Sequence, residues 1–242
     1  MEFAIIAAGE GSRLKEGGFA LPKPMVALEG LPLVHRLINV FANNNATAVH
    51  IIINDFSPEA EAYLEQLKKA SAVHLNIVKK STPSSLHSFY ELLQHIKGNA
   101  VCLTTVDTVF DESEFAGYIQ SFQNNTDADA LMAVTSFVDD EKPLYAATNS
   151  SMMITAYLDE KTEGVEYVSG GIYCLKRQLF ETVNDAVHSG ASRMRNLQRL
   201  FVSKGFAVKA YPFSKIVDID HVEDIAKAQE WLAETKAASP LA

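Results

Sequence analysis

Short apolar runs alternate with longer amphipathic stretches along most of the chain. Phe3-Ala4-Ile5-Ile6-Ala7-Ala8 is an unbroken apolar run with β-branched residues at its centre, the pattern of a strand buried on both faces. Residues 33–41 instead space their apolar side chains helically, and Asn43-Asn44-Asn45 stops that helix. His35 and Arg36 fall on or near its solvent face. A second strand is predicted over 49–53, followed by a helix that Ser57-Pro58 opens and that turns Ala60, Leu64 and Leu67 inward. A third strand spans 73–78, a helix places Leu86, Phe89, Leu93 and Ile96 on one face, and a fourth strand spans 99–106. Asp111-x-x-Glu114 has the spacing of a cap for the next helix. After a strand over 128–137 the rhythm changes. Apolar runs at 144–148, 152–158 and 165–175 crowd together with turn residues between them, which predicts an antiparallel insertion beside a parallel sheet. Helices over 178–188 and 193–203, a strand over 206–212 and a last helix with Ile225, Ala228 and Leu232 inward complete an α/β chain, and its tail at 237–240 is expected to fray.

The punctuation between these elements carries the chemistry. The first strand runs into Gly9-Glu10-Gly11, a tight turn whose N–H groups lack nearby Cβ atoms and can approach an anion closely. Arg13 and Lys23 follow as two fixed cations, and Pro22 and Pro24 stiffen the segment that presents Lys23. A polyphosphate pocket is the economical reading. It is not a P-loop, because no G-x-x-x-x-G-K-[ST] run exists. It is not the dinucleotide fingerprint either. Leu14 takes the third small position, and Glu29, at about the right distance for the acidic residue, sits in a Gly/Pro turn. Asp107 stands where the fourth strand ends, the place where ligands gather in open α/β sheets, although an aspartate there also suits a plain turn. Alternation puts Asp218 and Asp220 on one strand face. Asp220 with Glu223 has capping-box spacing for the last helix, which gives Asp220 a structural role and leaves Asp218 free. Gly170-Gly171 inside a strand pattern signals a close backbone approach, to ligand or to another strand.

Taken together, Ala7-Ala8-Gly9-Glu10-Gly11-Ser12-Arg13-Leu14, Pro22-Lys23-Pro24-Met25 and Gly30-Leu31-Pro32-Leu33 resemble the opening signature of the nucleotidyltransferases. That superfamily holds the sugar-1-phosphate nucleotidylyltransferases and the related cytidylyl-, guanylyl- and molybdenum-cofactor-type transferases. The resemblance continues, more weakly but in order, to the C-terminus. It implies a Rossmann-like three-layer sandwich with a mostly parallel central sheet and a small antiparallel insertion on the acceptor side. The whole chain 1–242 is then one domain, with a nucleotide-binding part at 1–136, an acceptor-side part at 137–220 and a C-terminal helix at 221–242. It also implies an NTP and a small phosphorylated acceptor as partners and Mg²⁺ as cofactor. Arg13 and Lys23 become the catalytic cations, and Ala7, Ala8, Gly9, Gly11 and Ser12 line the nucleotide. Thr82 and Ser85 match a base-contacting loop in which Ser81 replaces the family's glycine, although hydroxyls at a helix start, Ser84 and Ser85 here, ordinarily serve as caps. Asp107 and Asp218 correspond to the family's metal ligands, with Val106 in place of a glycine and His221-Val222 in place of Thr-Pro. On the acceptor side, Lys161, Gly170 and Gly171 resemble an E-K-P…G-x-Y stretch. Thr162 replaces its proline, and Glu141-Lys142-Pro143 is a competing match upstream.

Composition narrows the alternatives. The net charge of −9, with no block of five or six like charges, argues against a nucleic-acid partner and leaves room for a local basic pocket. Two cysteines in separate apolar runs, with no C-x-x-C, offer neither a zinc nor a redox motif. The start lacks the basic residues and length of a signal peptide, and no apolar stretch nears the roughly 18 residues of a membrane span, so a cytoplasmic protein without a membrane partner is expected. Monomer and homo-oligomer are equally compatible with the sequence. Two rival functions remain. One is a glycosyltransferase using a D-x-D pair such as Asp127-x-Asp129 or Asp218-x-Asp220, and the other is a nucleotide-binding domain without turnover.

Overall fold

The computed structural model describes residues 1–238, so Ser239 and Pro240 of the stretch expected to fray lie outside the described residues. The first half of the chain gives β1 (Glu2–Ala7), α1 (Ser12–Glu16), a 3-10 turn at Lys23–Met25, β2 (Ala27–Leu28), β3 (Leu31–Pro32), α2 (Leu33–Asn43), β4 (Ala48–Ile53), α3 (Pro58–Ala70), β5 (His74–Lys79), α4 (Ser85–Leu93), β6 (Ala100–Thr105), β7 (Thr108–Phe110) and α5 (Glu112–Asn124). The second half gives β8 (Ala130–Thr135), β9 (Tyr145–Thr148), β10 (Ile154–Leu158), β11 (Tyr167–Lys176), α6 (Phe180–His188), α7 (Met194–Ser203), β12 (Val208–Phe213), β13 (Ile216–Asp218) and α8 (Val222–Ala238).

One nine-stranded sheet carries the fold, in the order β5-β4-β1-β6-β11-β8-β12, with the β9–β10 hairpin joined to the start of β11. Its neighbours β1·β4, β1·β6, β4·β5 and β8·β12 are parallel, and β11 alone runs against them, between β6 and β8. The expected three-layer, mostly parallel α/β architecture is therefore present, with one correction. The run 165–175 is not part of an annex; only β9 and β10 form it. Ile172, Cys174 and Leu175 are fully buried, so β11 belongs in the middle of the sheet with both faces covered. Period-two alternation builds the two outer layers. Phe3, Ile5 and Ala7 pack under α2, α3, α5 and α8, while Ala4, Ile6 and Ala8 pack under α4, α6 and α7.

Two small features fix the site's platform. Past the end of β6 the chain turns at Asp107 into β7, which pairs antiparallel with β13 and sets Asp218 opposite Thr108. Phe110 of β7 is locked by a stack on Phe115 at 4.8 Å between ring centres and an edge contact with Phe213. Such pairs add about 0.5–1.5 kcal/mol each beyond their buried area. Arg36, expected near solvent, is buried instead: its guanidinium donates to the Phe110 carbonyl at 2.8 Å and lies over the Phe110 ring. A long side chain with a carbonyl and an aromatic face in reach gains more inward than outward.

Asp111 caps α5 as expected, its Oδ1 accepting from the N–H groups of Ser113 and Glu114, both at 2.9 Å. The hydroxyls of Ser57 and Ser84 do not cap the helices they precede: Ser57 donates to Asn54 Oδ1, and Ser84 Oγ accepts from the N–H of Arg193. No helix among the described residues is long and apolar enough to cross a membrane.

Candidate functional site

The parallel strands β1, β4, β5 and β6 all deliver their C-terminal ends to one edge of the sheet, and a cleft of about 440 Å³ opens there. Ala7 is spent inside the core, so its side chain does not face the cleft, whereas Ile6 and Ala8, on the other face of the strand, line it. Gly9, Gly11, Ser12, Arg13 and Lys23 form one wall, and Thr82 and Ser85 face them. A side chain at Gly9 would meet nothing within 4 Å, so that position is open toward the cleft. Gly11 has φ of +62°, and a Cβ there would come within 3.3 Å of Lys23 Cβ. Glycine thus permits both the left-handed turn and the close passage of Lys23.

Lys23 sits on the 3-10 turn between its two prolines with only 11% of its side chain exposed. Its Nζ donates to Asp107 Oδ2 at 2.5 Å and to Asp220 Oδ1 at 2.7 Å. Arg13 Nη1 donates to the other oxygen of Asp220 at 2.9 Å, and its Nη2 lies 3.8 Å from Glu141. Burial works against the Lys23 ammonium, but the charges of Asp107 and Asp220 outweigh it and raise its pKa well above the usual lysine range. Burial likewise works against the Asp107 carboxylate, and the neighbouring Lys23 overcomes it, leaving the pKa below the usual range. Asp218 makes no direct ion pair among the described residues, and the Lys23 charge and the Thr108 hydroxyl favour its carboxylate only in part. Burial first, and then the Asp107 charge, push its carboxyl up to about 7, although its outer face meets the water of the cleft.

These two carboxylates suit a divalent ion. They are hard oxygen donors from distant strand ends, drawn together by the β7–β13 pairing and by the Ile219 N–H bond to the Asp107 carbonyl at 3.1 Å. Their mutual repulsion is what a cation relieves. Among the described residues no group of three or more His, Cys, Asp or Glu forms a ready cage. An ion such as Mg²⁺ takes one or two carboxylates and completes its octahedron with phosphate and water.

The cleft continues past the aspartates. A space of about 300 Å³ shares Ser85, Thr105 and Asp107 with the first and is walled by Asp218, Gly171, Arg193 and Gln198. Another, of about 320 Å³, shares Arg13 and Asp220 with the first and Asp218 with the second, and is walled by Gly170, Asp140 and Glu141. The two glycines do mark a close approach, and it is to other strands. A Cβ at Gly170 would fall 2.2 Å from Ile216 Cδ1, and Gly171, at φ +74°, passes the Thr108 hydroxyl where β11 bulges against β8. Lys161 is not brought to this centre. It lies on an adjoining cleft with Asp159, Glu160 and Arg195, as does Lys142. Thr82 and Ser85 line the first cleft, but their hydroxyls already serve the fold: Thr82 bonds Ser88, and Ser85 Oγ accepts from the N–H of Met194 at 3.3 Å. The start of α4 therefore ties down the start of α7 rather than its own first turn.

Sequence reasoning passed over three residues. Asp220 does not close a capping box with Glu223. Asp224 takes that place, its Oδ2 accepting from the N–H groups of Asp220 and His221 at 3.2 and 2.8 Å. Arg193 and Arg195 line the 300 Å³ space past the aspartates. Arg195 is held by Asp159 and by the Lys142 carbonyl. Arg193 adopts φ 68°, ψ 143°, a conformation that side chains other than glycine rarely take, and among the described residues its guanidinium has no ion-pair or hydrogen-bond partner. Strain of this kind, of order 1–3 kcal/mol, collects at functional positions.

Comparison with known proteins identifies the family and the fold. The model of the MobA-like NTP transferase domain family matches residues 3–201. The bifunctional protein GlmU of Thermodesulfovibrio yellowstonii is 23% identical over 248 residues, covering 96% of this chain and 52% of that protein. The chain spans about half the length of the curated relatives it matches. Among solved structures, the inositol-1-phosphate CTP transferase from T. maritima superposes with a TM-score of 0.81 at 17% identity, covering 100% of this chain and 97% of that one. A putative glucose-1-phosphate thymidylyltransferase from Bacillus anthracis superposes with a TM-score of 0.82 at 15% identity, covering 96% and 94%. At these identities the superpositions establish the fold.

Proposed function

Because the chain belongs to the MobA-like NTP transferase family, we propose that it moves a nucleoside monophosphate group from an NTP to a small phosphorylated acceptor, a sugar 1-phosphate first of all, and releases pyrophosphate. An acceptor phosphate oxygen forms a bond to the α-phosphorus in line with the bond that breaks, and that bond's electron pair leaves with pyrophosphate. The attacking oxygen is already anionic, so no strong general base is needed. The obstacle is charge, and catalysis reduces to positioning and neutralisation. The observation that carries the reading is Lys23, a buried ammonium held between Asp107 and Asp220 beside the open Gly9–Gly11 turn.

On this reading the amides of the Gly9–Gly11 turn run along the triphosphate. Arg13, planar and multidentate, takes the departing β- and γ-phosphates. Lys23 exchanges a carboxylate for the α-phosphate and steadies the incoming anion. Asp107 and Asp218 would hold the divalent ion, which supplies neutralising charge on the phosphates when bound. Arg193, unpaired and facing the second space, meets the acceptor's phosphate in place of Lys161. The printed names of the structural neighbours, an inositol-1-phosphate and a glucose-1-phosphate transferase, agree in acceptor class. The free, buried thiols of Cys102 and Cys174 agree with a reducing, cytoplasmic setting.

The test is pyrophosphate release from each of the four NTPs against sugar 1-phosphates, inositol phosphate and phosphocholine, with and without Mg²⁺. Turnover that needs both an NTP and an acceptor supports the proposal. Hydrolysis or transfer from a nucleotide-sugar with no NTP requirement would mark a glycosyltransferase instead, and NTP binding without product in any combination would mark a silent domain.

A further inference from the structure

We propose that Asp220 is a positioning residue: its one carboxylate sets the spacing of Arg13 and Lys23 before any phosphate arrives. The inference rests on the nucleotidyl-transfer reading above and assigns a role that neither capping nor metal ligation supplies. Asp220 Oδ2 accepts from Arg13 Nη1 at 2.9 Å and Oδ1 from Lys23 Nζ at 2.7 Å. Both oxygens are thus engaged by the two cations, whereas Asp218 faces the cleft without a cation of its own. Asp220 is itself held. The Asp224 carboxylate grips its N–H at 3.2 Å, and the neighbouring Ile219 N–H is bonded to the Asp107 carbonyl at 3.1 Å. Its backbone is clamped at the start of α8 while its side chain reaches into the cleft.

Elementary electrostatics makes the placement unexpected. A carboxylate beside a triphosphate repels it, so Asp220 belongs there only if its effect through the cations outweighs its own charge. Donor counts allow this. An ammonium has three N–H bonds and a guanidinium five, so each can keep Asp220 and take a phosphate oxygen as well. Arg13 needs such a guide most. It is half exposed on a five-residue helix, on a long stem whose rotamers would otherwise be ordered only when the nucleotide binds. A solvent-exposed ion pair contributes little to stability, so the Arg13–Asp220 bond serves the site more than the fold. Asp220 also lies beyond residue 201, where the family match ends, so the C-terminal segment completes a cradle that the matched region begins.

A double-mutant cycle tests this, with inorganic tripolyphosphate as the probe and calorimetry in EDTA as the readout, so that neither base choice nor metal enters. Asp220→Ala and Asp220→Asn should each weaken tripolyphosphate binding about 10-fold, and Arg13→Ala by a similar factor. The double variant Arg13→Ala, Asp220→Ala should fall well short of the product of the two. Unchanged melting temperatures and circular dichroism would show that the variants fold. Tighter binding by Asp220→Ala overturns the proposal, since Asp220 would then be a simple repulsive charge. Effects that multiply also overturn it, since Asp220 would then act through something other than Arg13. If the wild-type protein failed to bind tripolyphosphate at all, the proposal would fall, whereas the nucleotidyl-transfer reading, in which a divalent ion shares the phosphates, would still stand or fall on pyrophosphate release; the first two outcomes also leave that reading intact.

Discussion

On the proposed reaction, the wall that would face the nucleotide and the wall that would face the acceptor are assembled differently. On the nucleotide wall, Gly9, Gly11, Arg13 and Lys23 come from one short stretch after β1, and both cations are already paired with carboxylates of the site. On the acceptor wall, Gly170 and Gly171 come from the bulge in β11, Arg193 and Gln198 from α7, and Asp140 and Glu141 from a loop before β9. There Arg193 waits without a partner among the described residues. The difference follows from what each wall must recognise. A polyphosphate is the same object whatever base it carries, so a compact, preset cradle suffices. An acceptor is distinguished by the shape and hydroxyl pattern of a small body, which needs surfaces drawn from several elements.

Substitutions should separate the walls, and the largest effect falls where they meet. Asp107→Asn, which removes charge from the proposed metal seat, should lower kcat by about 10³-fold with little change in fold, since preset charge is the chief catalytic asset of such sites; steady-state pyrophosphate release checks this. Lys23→Ala should cost about 10²-fold, and the loss should appear with every acceptor tried. Arg193→Ala should act on one wall only, raising the acceptor KM about 10-fold while leaving the NTP KM alone. Arg193→Gly should show the same kinetic defect yet stabilise the fold by about 1 kcal/mol, because glycine carries no penalty at that φ; a melting curve beside the kinetics reads both.

Gly170→Ala places a methyl group against Ile216 at 2.2 Å and should cost about 1–3 kcal/mol, and it should lower activity too because Ile216 begins the strand that ends in Asp218.

The smallest effect lies far from both walls, at the opposite end of the strands. His50 Nε2–H donates to Glu2 at 2.7 Å, and Asn76 donates to His50 Nδ1 at 3.3 Å, so the hydrogen-bond network takes a neutral imidazole. Burial holds His50 below its ordinary value even with Glu2 beside it. Burial pushes Glu2 up, but the bonds from His50, Lys97 and Gly98 outweigh this and leave it below its ordinary value. Both folded-state pKa values are depressed, so the pair's stabilisation is complete above about pH 6.5 and is lost as the pH falls, first through His50 and then through Glu2. His50→Gln should flatten the upper part of that acid decline in melting temperature without changing turnover.

Legibility in the sequence followed the same divide. The nucleotide wall could be read because its logic is local. Two glycines, an arginine and a proline-flanked lysine at fixed spacing leave few alternatives, and buried strands announce themselves as apolar runs. Asp107 and Asp218 were legible as strand-end aspartates. Asp220 was misassigned because Asp220-x-x-Glu223 overlaps His221-x-x-Asp224 at the same spacing, and only three dimensions show that Asp224 takes the cap. β11 looked like part of an insertion because the glycines that bend it also resemble turn punctuation. Lys161 was chosen over Arg193 on motif resemblance. Nothing local marks an arginine that opens a helix in a left-handed conformation, apart from the oddity of a polar Ser192-Arg193 where glycine is usual.

The most direct test of the account follows the phosphorus atoms. With an NTP labelled separately at the α and γ positions, the α label should appear in the acceptor conjugate and the γ label only in pyrophosphate, and Lys23→Ala should slow both about 10²-fold. Transfer of the γ label to the acceptor, or its release as free phosphate with the α label left on a nucleoside diphosphate, would contradict the proposed reaction.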